Sequence, residues 1–398
     1  MRPAALPRGF SLVELMISLV LGALLMLGLV QVFEASRITY KLSEGLSRVQ
    51  ENSRFAMDYL QRDLRMAGHM GCYSDQVRFL PGVLGFRSTF VAQTVPTNAQ
   101  LETAPEPLQF QAAIQGFEAA NTAPGDSLTL PAGGGAWAGS PALPAYVQGL
   151  TPAPMAGSDV VLLRYFTAES VPVRAATANT ISVASAGWAR LNEASGIANP
   201  GLFAVGSCQK AVAFQATAVS VAASGATITV NPTGLNRSDL SLETLKGSQL
   251  FRAESEAYYV ALNAAGEPAL YRARFTAAPG SGAVAVVGGR PEELVEGIEN
   301  MQLIYGMDLT TDQTRAPSGY VARQDVARVI QPGGDRLPWR RVGMVQVAFL
   351  SRSTERAGVA PAVAVPSLLG LRVTPPGDGR YRSVYESSIA LRNRLYGK

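Results

Sequence analysis

The sequence predicts an α+β chain: one long N-terminal helix packed on an antiparallel, β-rich domain that carries a large β/loop insertion. Three observations predict it. Residues 8 to 80 contain no proline, although the chain has 25. Within that window apolar residues recur at helical spacing. Beyond it, turn residues divide the chain into apolar runs of strand length. With 398 residues the chain can bury a sizeable core, and its low charge, 16% of residues, suits an exported protein better than a helical cytosolic enzyme.

The helix begins in the string Arg8-Gly9-Phe10-Ser11-Leu12-Val13-Glu14-Leu15. From Leu15 to Val30 no residue is charged and only Ser18 is polar. About 20 mostly apolar residues cross a bilayer core, so 10–33 is predicted to span a membrane. Glu14 lies near the start of that run, where an unpaired carboxylate costs roughly 3 kcal/mol or more. Ile38, Leu42, Leu46, Val49, Ala56, Leu60, Leu64 and Ala67 extend one apolar face to the end of the helix. Glu44 with Arg48, and Asp58 with Arg62, are spaced i,i+4 as favourable pairs. One helix over 10–67, on the order of 85 Å long, ends at Gly68 and Gly71.

Cys72 and Cys208 are the only cysteines. In an exported chain such a pair reads first as one disulfide, the alternative being two free buried thiols. Residues 88–157 have no Lys or Arg and nine prolines, which predicts a loop-rich insert with short strands at best. Order returns at 159–166. Residues 257–262 and 268–275 predict a hairpin around Asn263 to Gly266. Residues 298–307, 342–351 and 381–391 predict a three-stranded antiparallel sheet.

Catalytic and metal-binding chemistry is thinly represented. His69 is the only histidine, which excludes a multi-histidine metal site and leaves it as a cation at the helix end. There is no phosphate loop. Asp308 and Asp312 place oxygens at alternate positions, a weak calcium candidate without the central glycine or a following bidentate Glu; a plain turn is the better reading. Arg336, Arg340 and Arg341 around Trp339 form a short basic cluster, too small to argue for nucleic acid and equally suited to a subunit interface.

The front string resembles the class III leader of type IV prepilins and pseudopilins. The resemblance implies cleavage by prepilin peptidase between Gly9 and Phe10, with N-methylation of Phe10. Loss of 1–9 removes two arginines, and the formal side-chain balance falls from +4 to +2. It also implies that Glu14 pairs with the free α-amine of a neighbouring subunit and so sets assembly register. An uncleaved signal anchor would give the same hydropathy.

Later strings narrow the resemblance: Arg62 to Gly68 with Gly71-Cys72, Gly206-Ser207-Cys208, Leu294 to Leu303, and Leu391-Arg392-Asn393 resemble the PilW family of minor pilins. A pilin-like fold follows, divided as leader 1–9, stalk helix 10–67, β-rich region 68–290 and C-terminal sheet 291–398. So does a non-enzymatic role without cofactor: priming pilus assembly, with motility, adhesion or DNA uptake attached. The implied partners are other minor and major pilins through the helix, prepilin peptidase and the inner-membrane assembly platform, with nucleic acid disfavoured. The implied location is the inner membrane with a periplasmic domain, then the pilus fibre near its tip. Two alternatives stand beside it, a type II secretion pseudopilin of the GspJ kind and an adhesin carried on a pilin stalk.

Overall fold

The computed structural model describes residues 9, 11–74, 85–92, 100, 103–131, 133–193, 195–238, 247–331, 336–356 and 365–394. Helix α1, Leu12–Met66, runs unbroken for 55 residues, about 80 Å at 1.5 Å per residue. It forms because no proline interrupts it and Leu, Ala, Met, Glu and Arg, good helix formers, dominate it. The Ala67 N–H closes on Asp63 O and Leu64 O. Gly68 then takes a left-handed φ of +73°, where a Cβ would also strike the Arg394 side chain. Glycine meets both demands and ends the helix.

All residues from Leu12 to Lys41 are exposed. Only from Val49 is one stripe buried: Val49, Ser53, Ala56, Met57, Leu60, Asp63 and Leu64. Ile38, expected on the packed face, is 37% exposed because the domain does not reach that far down the helix. The expected Asp58–Arg62 pair is replaced: Arg62 Nε meets its neighbour Asp63 at 3.2 Å. Glu44 and Arg48 do pair, at 2.7 Å.

The described strands used below are, in order, β1 Gly85–Ser88, β2 Ile114–Ala119, β3 Val160–Phe166, β4 Leu202–Gly206, β5 Lys210–Gln215, β6 Gln249–Leu262 and β7 Pro268–Thr276. They continue as β8 Glu292–Glu296, β9 Ile298–Asp308, β10 Val321–Asp325, β11 Val342–Arg356 and β12 Arg380–Ala390. The large sheet runs β1-β5-β4-β6-β3-β2, with β7 on β6 and β8 on β7. The 14-residue β6 unites it, pairing with β4 through 249–252, β3 through 253–258 and β7 through 255–262. The expected hairpin is β6–β7, closed by Asn263 N–H on Glu267 O at 2.8 Å.

The C-terminal sheet has four strands, β10-β9-β11-β12, one more than expected. Val321–Asp325 was hidden because four of its five residues are Ala, Arg, Gln or Asp on an edge. This sheet lies across the second half of α1. Leu60 and Leu64 pack with Met301, Leu303, Val345, Val347, Phe349 and Ile389, all nearly solvent-free. Burying each such side chain is worth about 1.5–3 kcal/mol. The fold is therefore α+β, a long apolar helix seated on antiparallel sheets.

The described part of 88–157 is loop-rich with short strands, as expected, yet much of it is buried. Its β2 is buried at all six positions and pairs with β3 toward one end of the large sheet. Phe110, Ile114 and Phe117 are at most 1% exposed. A four-stranded sheet of Ala175–Ala176, Thr180–Ala184, Ala218–Ala222 and Gly225–Thr229 packs Ile181, Val183 and Ile228 against Phe203, Val205, Val212, Phe214 and Leu250 of the large sheet. Cys72 and Cys208 are joined by a disulfide with Cα atoms 4.5 Å apart. It ties the chain just past α1 to the turn between β4 and β5.

Candidate assembly surface

The protruding half of α1 is the most exposed apolar surface among the described residues. Leu12, Leu15, Ile17, Leu19, Leu24 and Leu25 are all more than half exposed, and the apolar residues lie on every face. A helix hydrophobic all round is stable only when covered, by lipid or by other helices. This one is long and apolar enough to cross a membrane.

Ser11 and Glu14 shape its tip. The Glu14 N–H donates to Ser11 Oγ at 3.2 Å, and the Ser11 N–H donates to Glu14 Oε2 at 3.1 Å. This reciprocal capping box satisfies two of the helix's orphan donors. It also fixes the carboxylate at the positive end of the helix dipole, turned back onto the Ser11 N–H. Gly9 is exposed with nothing within 4 Å of its Cβ position. Phe10 lies outside the described residues.

Where α1 meets the domain, two clusters of buried charge appear that the sequence did not signal. In the first, Asp63 on α1 accepts from the Tyr258 hydroxyl and from Arg272 Nη1 at 3.2 Å. Glu256 lies 3.4 Å from Arg274 Nε, and Glu254 lies 2.6 Å from Arg252 Nη2. Burial, then the Asp63 charge, pushes the Glu256 carboxyl well above the usual carboxylate range, against the pull of Arg272. The only trace of this cluster in sequence is the alternation Arg252-Ala-Glu254-Ser-Glu256.

In the second cluster Arg382 forks onto Glu299 at 2.6 and 2.9 Å, and onto Asp378 at 2.8 and 2.9 Å. Arg352 and Arg380 both reach Glu267, at 2.7 and 2.8 Å. Burial alone would raise the Asp378 carboxyl, but hydrogen bonds from Arg382 and the Arg380 N–H hold it down to about 2. Glu267 is lowered likewise by Arg380 and Arg352. Both folded pKa values lie below unfolded ones of about 3.9 and 4.3. Their contribution is therefore complete above about pH 5 and drains away as pH falls toward 2. Thermal melts are expected to show Tm dropping between pH 5 and 2.5, with a shallower drop in Asp378→Asn.

The remaining candidates are placed as follows. Asp308 accepts from the N–H groups of Thr310, Ser318 and Gly319 and the Ser318 hydroxyl, and Asp312 accepts from Thr314. Their oxygens are spent inside their own turns, and among the described residues no group of three or more His, Cys, Asp or Glu could hold a metal. The His69 ring meets the Phe166 carbonyl at 2.8 Å and packs edge-on with Phe251, and the His69 N–H donates to the Met66 carbonyl at the helix end at 2.8 Å. Trp339 is fully buried, its indole N–H on Gln331 Oε1 at 2.8 Å. Arg341 is buried as well, donating to the carbonyls of Asp312 and Arg315. The basic cluster is thus part of the core edge and offers no flat cationic face.

Two family models match the chain. Residues 257–393 match type IV pilus-assembly protein W, and residues 7–30 match the prokaryotic N-terminal methylation motif. The first covers the β6–β7 hairpin and the C-terminal sheet, and the second covers the capping box and the exposed half of α1. No curated protein and no solved structure matches the chain.

Proposed function

We propose that this chain, a type IV pilus-related pilin by those two matches, acts as a minor pilin that helps prime pilus assembly. Its motif and apolar helix support membrane anchoring and pilus association. The observation that carries the finer reading is the helix tip. An uncharged spike exposed on every face ends in a carboxylate already oriented by Ser11. In such a spike an acid is tolerable only with a cationic partner, and the free α-amine of a neighbouring processed chain supplies one. Cleavage after Gly9 with methylation of Phe10 would create that amine on each subunit. Gly22, Ala23 and Gly28, with open space at both glycines, allow close helix approach of the kind that drives association in lipid. A pseudopilin of the secretion type shares this geometry; loss of pili, as opposed to loss of secreted enzymes, on deletion separates the two.

Mass spectrometry of the mature N-terminus tests processing: a chain beginning at methylated Phe10 is expected. Glu14→Ala is expected to stay processed and membrane-bound yet to recover at least tenfold less of other pilins on co-purification. Unchanged recovery would remove the acid from the mechanism.

A further inference from the structure

A second surface follows α1 upward from the stalk. Lys41, Gly45, Arg48, Asn52, Phe55 and Tyr59 form one row at spacings of three and four, so they share a face of the helix. Most exposed positions on this part of α1 are polar: Gln50, Glu51, Arg54 and Asp58. Phe55 and Tyr59 break that rule, at 42% and 38% exposed. They border a groove of about 460 Å³ whose other wall is Leu294, Val295 and Glu296 of β8 with Arg352 and Thr354 of β11. Asn52 Nδ2 donates to Glu296 O at 3.0 Å and braces the groove floor. A smaller hollow lined by Lys41, Gly45, Arg48, Thr354 and Tyr381 shares Arg48 and Thr354 with it. The concave seam therefore continues down to the foot of the exposed apolar helix.

We propose that this seam receives the apolar stalk helix of a neighbouring pilin. This rests on the assembly reading above and adds the face and the residues that select the partner. The seam follows the helix from residue 41 to 59, about 27 Å, so it fits a rod lying alongside α1. Two of its cations are already committed, Arg48 to Glu44, and Arg352 to Glu267 and Glu299. An uncharged occupant leaves those pairs unbroken. An α-helix of the composition of 15–30 satisfies every condition, with Phe55 and Tyr59 as the anchors that helix-in-groove recognition uses.

Photo-crosslinking in intact piliated cells tests this with the full chain. Phe55→p-benzoylphenylalanine is expected to yield an adduct whose partner peptide lies in the apolar N-terminal helix of a processed pilin. Val20→p-benzoylphenylalanine serves as the stalk control. If position 20 crosslinks to pilin helices and position 55 does not, or reaches only lipid or a globular domain, the groove assignment is overturned while the assembly reading stands. If neither position crosslinks to a pilin, the assembly reading falls and takes the groove with it. The variant Phe55→Ala with Tyr59→Ala is expected to keep the wild-type melting curve and lower the yield of the helix adduct from position 20 at least threefold; an unchanged yield would likewise overturn the groove.

Discussion

Arg272→Ala is expected to destabilise the protein by roughly 3–5 kcal/mol at neutral pH, the range for removing one partner of a buried ion pair. Arg272 reaches Asp63 at 3.2 Å, Glu292 at 2.8 Å and Glu256 at 4.0 Å. Asp63 and Glu256 have side chains only 3% exposed. Burial opposes the Arg272 charge, but Glu256, Tyr258 and Asp63 together hold the guanidinium charged above its ordinary range. Without it, two carboxyls face each other in a dry site and one must take a proton. Glu256, already pushed upward, is the one that takes it. A carboxyl whose folded pKa exceeds its unfolded value stabilises most below the unfolded pKa and loses that contribution as pH rises. The deficit of the variant is therefore larger at pH 8 than at pH 5, by up to about 1.4 kcal/mol per pH unit for one proton. Urea denaturation at the two pH values reads it. Combining Arg272→Met with Asp63→Asn should cost less than the sum of the two, because the second change removes the charge that the first strands. A deficit independent of pH would mean that lost packing, not stranded charge, is the cause.

How much of this was readable in sequence depends on whether an element needs tertiary context. The tip of α1 does not. Ser11 and Glu14 lie three residues apart, so their capping box is local and the string alone displays it. The strands β9 and β11 carry long apolar runs and are buried on both faces along much of their length, so they too stood out. The buried charges did not. Glu254 and Glu256 alternate with small residues on β6, which reads as the wet face of a half-buried strand. They are dry because β7 places Arg274 directly opposite Glu256, and Arg272 opposite Tyr258, while the end of α1 lowers Asp63 onto the same face. Only the register between distant strands and the helix creates that site. Trp339 misled for a related reason: arginines around an indole look like surface, yet Gln331 gives the indole N–H a buried partner. The strand β2 was hidden because its Gln115 and Glu118 look like loop residues, although Gln331 and Arg328 satisfy them in the interior.

Removal of the disulfide is expected to lower stability by about 3–5 kcal/mol, the scale the loop-entropy argument sets for a long closed loop. Cys72 and Cys208 are 136 residues apart in sequence. In the native protein other contacts already close that loop. Gly85 of β1 pairs with Lys210 of β5, two residues beyond Cys208. Met70 and Tyr73, on either side of Cys72, are buried with Phe251 and Phe166 in the second core. The bond therefore adds little to native contacts and acts by restricting the unfolded chain. Cys72→Ser with Cys208→Ser should thus shift the denaturation midpoint strongly while leaving the native circular dichroism spectrum unchanged. Both cysteines are exposed at the surface, so dithiothreitol should reproduce the shift in the wild type without prior unfolding. Gly71 sits at φ +74°, with its Cβ position 2.9 Å from the Phe251 ring, so only glycine fits this turn without a shift. In the reduced protein, limited proteolysis of the domain is expected to be faster in step with the lost stability. Equal protection of both forms, or a midpoint shift worth under about 1 kcal/mol, would show that noncovalent packing at the helix exit suffices without the cross-link.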